Sequence, residues 1–140
     1  DWYRTLGRAD APLGIIAWGS MYGLLYEWVR ANPEYRVFLL EILHPFPLAG
    51  LAAWRQGLAK TWTLELSFQR QFHRYLGSLI DLGGVVSVAR SGGLPLSTAE
   101  LSRMLTEASS LRPRTIAPPW SPCGARAAAT SACSRASPRP

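Results

Sequence analysis

Glu27 is the residue whose surroundings point most directly to chemistry. It follows Gly19 and Gly23 at four-residue steps, so on a helix all three would share one face. Two small residues let another helix or a flat ligand approach the backbone closely, and the carboxylate would offer that ligand an oxygen donor. An ion pair between Glu27 and Arg30 explains the same pattern without a ligand. On the residues alone, both interpretations stay open.

Catalytic constellations are not evident. His44 and His73 lie far apart in the sequence, and no Ser, Cys or carboxylate has a spacing typical of nucleophilic or acid–base catalysis. Cys123 and Cys133 have no CxxC spacing and no neighbouring His, which disfavours a zinc site and leaves a disulfide undecided. The sequence therefore predicts a protein that is not an enzyme.

The charge is concentrated at one end of the chain. The 140 residues carry a formal net charge of +6, and residues 112–140 contribute five Arg and no acidic residue. A nucleic-acid-binding domain usually gathers its basic residues on the fold itself, so we expect no nucleic-acid partner. The sequence does not start with Met, which predicts either a removed targeting segment or a late start.

One apolar run dominates the first 44 residues. Ala11 to Tyr26 contains no charged residue, and up to Val29 the only charge is Glu27. These 19 residues would span about 28 Å as a helix, close to the roughly 30 Å hydrocarbon core of a membrane. A buried helix of a soluble protein is the alternative, but a short chain could hardly surround it. The run predicts a transmembrane helix over about residues 12–30.

The remaining chain divides into two parts. Residues 45–111 have apolar residues at three- and four-residue steps, which predicts amphipathic helices over about 48–82. Ser97 and Glu100 form a capping box that should begin a further helix. Residues 112–140 are rich in Pro, Ala and Arg and predict an irregular, extended tail. The expected fold class is mainly α: a transmembrane segment over 1–44, then amphipathic helices, then the Pro-rich tail.

The first part of the chain resembles the PsaJ family, subunit IX of the photosystem I reaction centre. The resemblance lies in short steps that occur in the family's order: Arg4-Thr5-Leu6, Ala11-Pro12 followed by Trp18, Gly23-Leu24-Leu25 followed by Glu27, Arg30 and Pro33, then Val37-Phe38 and His44-Pro45. It covers about residues 4–45. The interval from Glu27 to His44 is longer than in the family, and residues 46–140 have no counterpart there.

This resemblance implies a pigment site. In the family, residues at the positions of Glu27 and His44 bind the magnesium of chlorophyll, and a hard cation of this kind suits oxygen and nitrogen donors. Chlorophyll a and carotenoid are the implied cofactors. The resemblance makes Trp18, Tyr22 and Trp28 candidates for packing against pigment. Gly19 and Gly23 would provide the close-packing face of the helix.

The resemblance also implies a function and a location. The chain would be a non-catalytic membrane subunit of photosystem I that stabilises a PsaF-like neighbour and contacts antenna proteins and lipid. It would lie in the chloroplast thylakoid membrane with a stromal N-terminus and a lumenal C-terminus. Two alternatives are an accessory single-span subunit of a respiratory complex, without pigment, and a helical component of a ribonucleoprotein.

Overall fold

A computed structural model describes residues 2–110 as a mixed α/β fold around one five-stranded sheet. The strand order is β1-β3-β2-β4-β5, with β1 antiparallel to β3 and every other pair parallel. The elements in chain order are β1 Tyr3–Gly7, β2 Leu13–Trp18, α1 Tyr22–Ala31, β3 Tyr35–Leu40, α2 Leu48–Arg55, β4 Lys60–Glu65, α3 Gln71–Leu79, β5 Val85–Ala89 and α4 Thr98–Ser110. The predicted mainly-α class is therefore wrong.

The apolar run forms a strand and a helix instead of one long helix. β2 is the central strand and is buried on both faces, which requires apolar residues at every position and not at alternate ones. The chain then turns at Gly19, whose φ of +80° is a conformation that favours glycine, and α1 begins at Tyr22. β2 and α1 are two short elements that follow each other in the chain. Together they produce the long run of uncharged residues that predicted a membrane span.

No helix within residues 2–110 combines the length and the hydropathy needed to cross a membrane. The longest of them, α4, has only 13 residues and includes polar and charged residues throughout its length. The predicted transmembrane helix is therefore wrong, and so is the thylakoid placement that depended on it.

Residues 45–110 contain two strands that the helical periodicity concealed. β4 interrupts the helices expected over 48–82, leaving α2 and α3 as helices of 8 and 9 residues, and β5 follows beyond that range. The capping box is confirmed, because the backbone N–H of Glu100 donates to Ser97 Oγ at 3.2 Å where α4 begins. The predicted tail over 112–140, with its two cysteines, lies outside the described residues.

The helices divide between the two faces of the sheet. α1 and α4 cover one face, called here the α1/α4 face, where sixteen buried apolar residues form a single cluster. α2 and α3 cover the other, the α2/α3 face, whose buried apolar cluster has six members. Because side chains alternate along a strand, β4 sends Trp62 and Leu64 to the first face and Thr63 and Glu65 to the second.

All four buried polar or charged residues among those described point to the α2/α3 face: Arg36, Thr61, Thr63 and Glu65. Arg36 lies near the start of β3 and donates hydrogen bonds to the carbonyl oxygens of Ala9 and Gln56. Its guanidinium also stacks on Trp54, 5.4 Å from the ring centre. Arg36 therefore joins the loop before β2 to the loop before β4 at the amino ends of the parallel strands.

Candidate functional site

The candidate site lies where the parallel strands end. α1 leaves the end of β2 over one face of the sheet, while α3 leaves the neighbouring β4 over the other. In open α/β sheets the crevice between two strands whose connections diverge in this way is the usual position for a ligand. The loops after β2, β3, β4 and β5 all reach this edge, which we call the carboxyl edge.

A buried carboxylate organises the loop after β4. Glu65 is completely buried at the last position of the strand, and its side chain accepts three hydrogen bonds. Ser67 Oγ donates one, the backbone N–H of Phe72 donates another at 2.7 Å, and that of His73 a third at 3.1 Å. The carboxylate thereby satisfies two N–H groups in the first turn of α3, and these bonds offset the cost of burying it.

The loop held by Glu65 presents an apolar side chain. Phe68 begins a single 3-10 turn, Phe68–Arg70, and is 68% exposed. Gln69 and Arg70 have φ values of 62° and 55°, which are uncommon for residues other than glycine. Two residues in this conformation cost free energy, and the conformation persists only where surrounding contacts hold it in place. The hydrogen bonds of Glu65 supply such contacts. The exposure of Phe68 is thus imposed by the fold.

Exposed apolar side chains concentrate at this edge. Of the ten large apolar residues that are exposed within residues 2–110, eight lie at or beside the carboxyl ends of the parallel strands. This set, called here the apolar rim, consists of Trp2, Trp18, Tyr22, Ile42, Leu48, Leu66, Phe68 and Leu94. Single exposed apolar residues are common on protein surfaces, but a group at one edge is typical of a surface that contacts another molecule.

A cavity of about 530 Å³ opens within this edge. It lies between the first residues of α1 and the loop after β5, with Leu66 at the end of β4 contributing to its wall. Its volume is within the range of small-molecule sites.

A second polar contact lies behind the edge. Thr63 Oγ1 and His73 Nδ1 share a hydrogen bond of 2.7 Å between β4 and α3. Burial lowers the pKa of His73, and the positive charge of Arg70 lowers it further, against an opposing effect of Glu65. The imidazole is therefore largely neutral at pH 7 and serves to hold α3 against the sheet.

The two predicted magnesium ligands lie apart from the Glu65 cluster. Glu27 is exposed on α1, and His44 is exposed in the loop between β3 and α2. Within residues 2–110 no group of three or more His, Cys, Asp or Glu side chains is arranged to hold a metal ion. A ligand-binding role for Glu27 and His44 stays a prediction.

The predicted aromatic and glycine residues divide between core and edge. Trp28 is buried on the α1/α4 face, where its Nε1–H donates to Ser102 Oγ at 2.8 Å, so it is a core residue. Trp18 and Tyr22 belong to the apolar rim. Gly19 precedes α1 and Gly23 lies within it, so the two do not form one helix face as predicted.

Glu65, Thr63 and His73 were not identified from the sequence as a group. The sequence signal for this strand is the alternation of polar and large apolar residues over Thr61, Trp62, Thr63 and Leu64. This period of two is typical of a strand with two different faces. It was obscured because Trp54, Leu58 and Trp62 also fit a helical spacing.

Comparison with known proteins shows the fold. The chain superposes on part of a solved structure of a 2-oxoglutarate:ferredoxin oxidoreductase from Magnetococcus marinus with 2-oxoglutarate, coenzyme A and succinyl-CoA bound, with a TM-score of 0.65 and 23% sequence identity. The match covers 76% of this chain and 19% of that one, so this chain corresponds to about a fifth of its length. No protein-family model and no curated protein matches the sequence.

These findings correct the predicted identity and function. The PsaJ resemblance is wrong: its short steps fall on β1, β2, α1 and β3 of an α/β sheet and on the loops that precede and follow these elements, and no family model matches. The photosystem I function is wrong with it, as are the chlorophyll a and carotenoid cofactors and the chloroplast location. The respiratory-subunit and ribonucleoprotein alternatives have no support either. The predicted partners, a PsaF-like subunit, antenna proteins and lipid, stay untested predictions.

The prediction that the chain is not an enzyme also lacks support. One solved structure that shares its fold is an oxidoreductase, although the shared part is about a fifth of that chain. The likeness shows that this chain has the fold of an oxidoreductase segment.

Proposed function

We propose that this chain is a domain or subunit of an oxidoreductase that acts on a 2-oxoacid with coenzyme A, and that its carboxyl edge packs against the rest of that enzyme. The observation that carries the proposal is the concentration of exposed apolar residues at this edge, on a fold shared with a segment of such an oxidoreductase. Eight of ten exposed large apolar side chains occur there, a distribution that an isolated domain would not need.

The side chains at the edge indicate what the chain contributes. Glu65 is buried and occupied by three hydrogen bonds that hold the backbone of the loop in place. His73 Nδ1 is occupied by its hydrogen bond to Thr63, behind the edge. The proposed contribution is therefore to support and enclose reacting groups that belong to the rest of the enzyme. Phe68, exposed at the start of the 3-10 turn, would be an anchor of the contact.

The test begins with the tagged chain, purified without oxygen from the cells in which it is native. We expect the purified material to reduce ferredoxin, or a viologen dye, when both a 2-oxoacid and coenzyme A are added. Material that contains the chain in stoichiometric amount but lacks this activity with 2-oxoglutarate and other short 2-oxoacids would overturn the proposal.

A pair of variants tests the role of the edge. Phe68→Asp should weaken the contact with the rest of the enzyme and lower the oxidoreductase activity, because a carboxylate at the centre of an apolar contact would be buried without compensation. If the rest of the enzyme is a separate subunit, the variant should also be released from the complex. Leu79→Asp is the matched control, since Leu79 is also exposed but lies at the end of α3, outside the apolar rim. Equal activity and equal retention of both variants would show that the contact lies elsewhere.

A further inference from the structure

The cavity at the carboxyl edge has walls of two kinds. Apolar side chains from three elements form one part, with Met21 nearly buried and Leu24, Leu66 and Leu96 beside it. The rest of the wall consists of the Ser20 residue before α1 and of Ser91 and Gly93 in the loop after β5, which contribute hydroxyl and backbone groups. A ligand here would bury apolar surface while retaining a small number of hydrogen bonds, as in most small-molecule sites.

The charge in the cavity wall is already balanced. Arg90 pairs with Glu100 through its Nε, at 2.9 Å, and its Nη1 donates to the carbonyl oxygen of Leu94 at 2.8 Å. These bonds fix the guanidinium and the loop after β5 together. A strongly anionic ligand would therefore meet no unpaired cationic side chain among the described residues of this wall, and no ion pair would compensate its desolvation.

We propose that this cavity binds an uncharged, flexible chain of mixed apolar and amide character, the chemistry of the pantetheine arm of coenzyme A. The inference depends on the proposed function and adds to it, because it states which portion of that cofactor this chain would contact. Methylene groups would lie against Leu24 and Leu66, while amide groups would reach the Ser20 and Ser91 hydroxyls. The phosphates of coenzyme A would remain outside the cavity, since the one cationic side chain that the structure describes in its wall, Arg90, is already paired with Glu100.

Gly23 provides a way to close the cavity without disturbing the fold. It lies in the first turn of α1, and a Cβ at this position would have no other atom within 4 Å. Gly23→Leu would therefore fill cavity space, and it would also favour the helix because leucine has the higher helix propensity. Glu27→Leu, one turn further along α1 and absent from the cavity wall, is the matched control.

The first measurement is calorimetric titration of the full chain with pantetheine. We expect binding by the wild type and by Glu27→Leu, and at least ten-fold weaker binding by Gly23→Leu. Ser91→Trp, which fills the cavity from the opposite side, should have the same effect and covers the case in which Gly23→Leu folds poorly. 2-Oxoglutarate, a dianion, should not compete with pantetheine.

The second measurement separates this inference from the proposed function. In the purified oxidoreductase complex, Gly23→Leu should raise the KM for coenzyme A while leaving the KM for the 2-oxoacid unchanged. If the complex is active but the variant alters neither pantetheine binding nor this KM, the site is refuted and the function stands. If pantetheine binds as described but the complex lacks 2-oxoacid activity, the proposed function fails and the site stands.

Discussion

The two faces of the sheet are built from the same strands and differ in what they bury. The α1/α4 face holds sixteen buried residues, all apolar, whereas the α2/α3 face holds six apolar residues together with all four buried polar or charged residues described. Most of the apolar surface removed from water therefore lies on the first face. The second face fixes loops at both ends of the strands, through Arg36 at one end and Glu65 at the other.

The difference shows how one strand serves two purposes. In β4, Trp62 and Leu64 stabilise the sheet by packing, and Thr63 and Glu65 determine where α3 and the Phe68 turn lie. Truncations on the first face should therefore lower global stability, while changes on the second should alter local structure at the carboxyl edge.

Leu64→Ala should lower the free energy of unfolding by about 2–5 kcal/mol, the usual cost of removing a fully buried leucine and leaving a cavity. Urea denaturation measures it. Leu66→Ala is the control, because Leu66 is two residues further along and 42% exposed, and its replacement should cost less than about 1 kcal/mol. Equal losses for the two variants would contradict the importance assigned to the α1/α4 face.

Glu65→Gln should cost about 1.5–3 kcal/mol, because an amide cannot accept all three hydrogen bonds that the carboxylate accepts. The effect should be local as well as global, with faster hydrogen exchange at the amides of Phe72 and His73. Glu100→Gln removes a carboxylate paired with Arg90 and should leave those amides protected. Unchanged exchange at Phe72 in Glu65→Gln would refute the organising role of this carboxylate.

Ser102→Ala tests the polar contact between α1 and α4 on the otherwise apolar face. It leaves the buried Trp28 N–H without its acceptor and should cost about 1 kcal/mol, the usual value of one such hydrogen bond. Denaturation followed by tryptophan fluorescence reports both stability and the environment of Trp28. Ser109→Ala, whose hydroxyl bonds only to the Leu105 carbonyl, should leave the fluorescence of the folded protein unchanged.

The smallest effect should be a pH dependence that arises from His73. Its pKa is lowered in the folded state, so the unfolded chain binds the proton more readily below the ordinary value of 6.5. Stability should accordingly be complete above pH 6.5 and fall as the pH drops from there toward the lowered pKa. His73→Gln should flatten this part of the stability profile, and an identical slope in variant and wild type would contradict the assignment.

The sequence predicted local features more successfully than the arrangement of elements. Ser97 and Glu100 identified the start of α4 because a capping box depends only on residues three apart. The run from Ala11 to Val29 did not reveal its break, since a strand buried on both faces carries no polar alternation. Gly19, with φ of +80°, marks the turn, but its four-residue spacing from Gly23 favours a helix-packing role when the sequence is considered alone.

The candidate site was harder to predict because it depends on strand order. The role of Glu65 depends on the hydrogen bonds that it accepts from the backbone N–H groups of Phe72 and His73. The edge forms only because β2 and β4 are neighbouring strands. Residue types considered one at a time do not show that Glu65, Phe72 and His73 lie together. Glu27, the candidate ligand that the sequence favours, lies at an exposed helix position.

The position of β5 has a consequence for behaviour at high concentration. β5 closes one side of the sheet and pairs only with β4, so its outer backbone groups have no strand partner within residues 2–110. Its five residues carry no charge, in contrast to β1 at the opposite side, which includes Arg4. Unpaired strands that lack charge are templates for sheet extension between copies. Aggregation by strand addition would therefore start at β5, restrained by its shortness and by the flanking charges of Asp81 and Arg90.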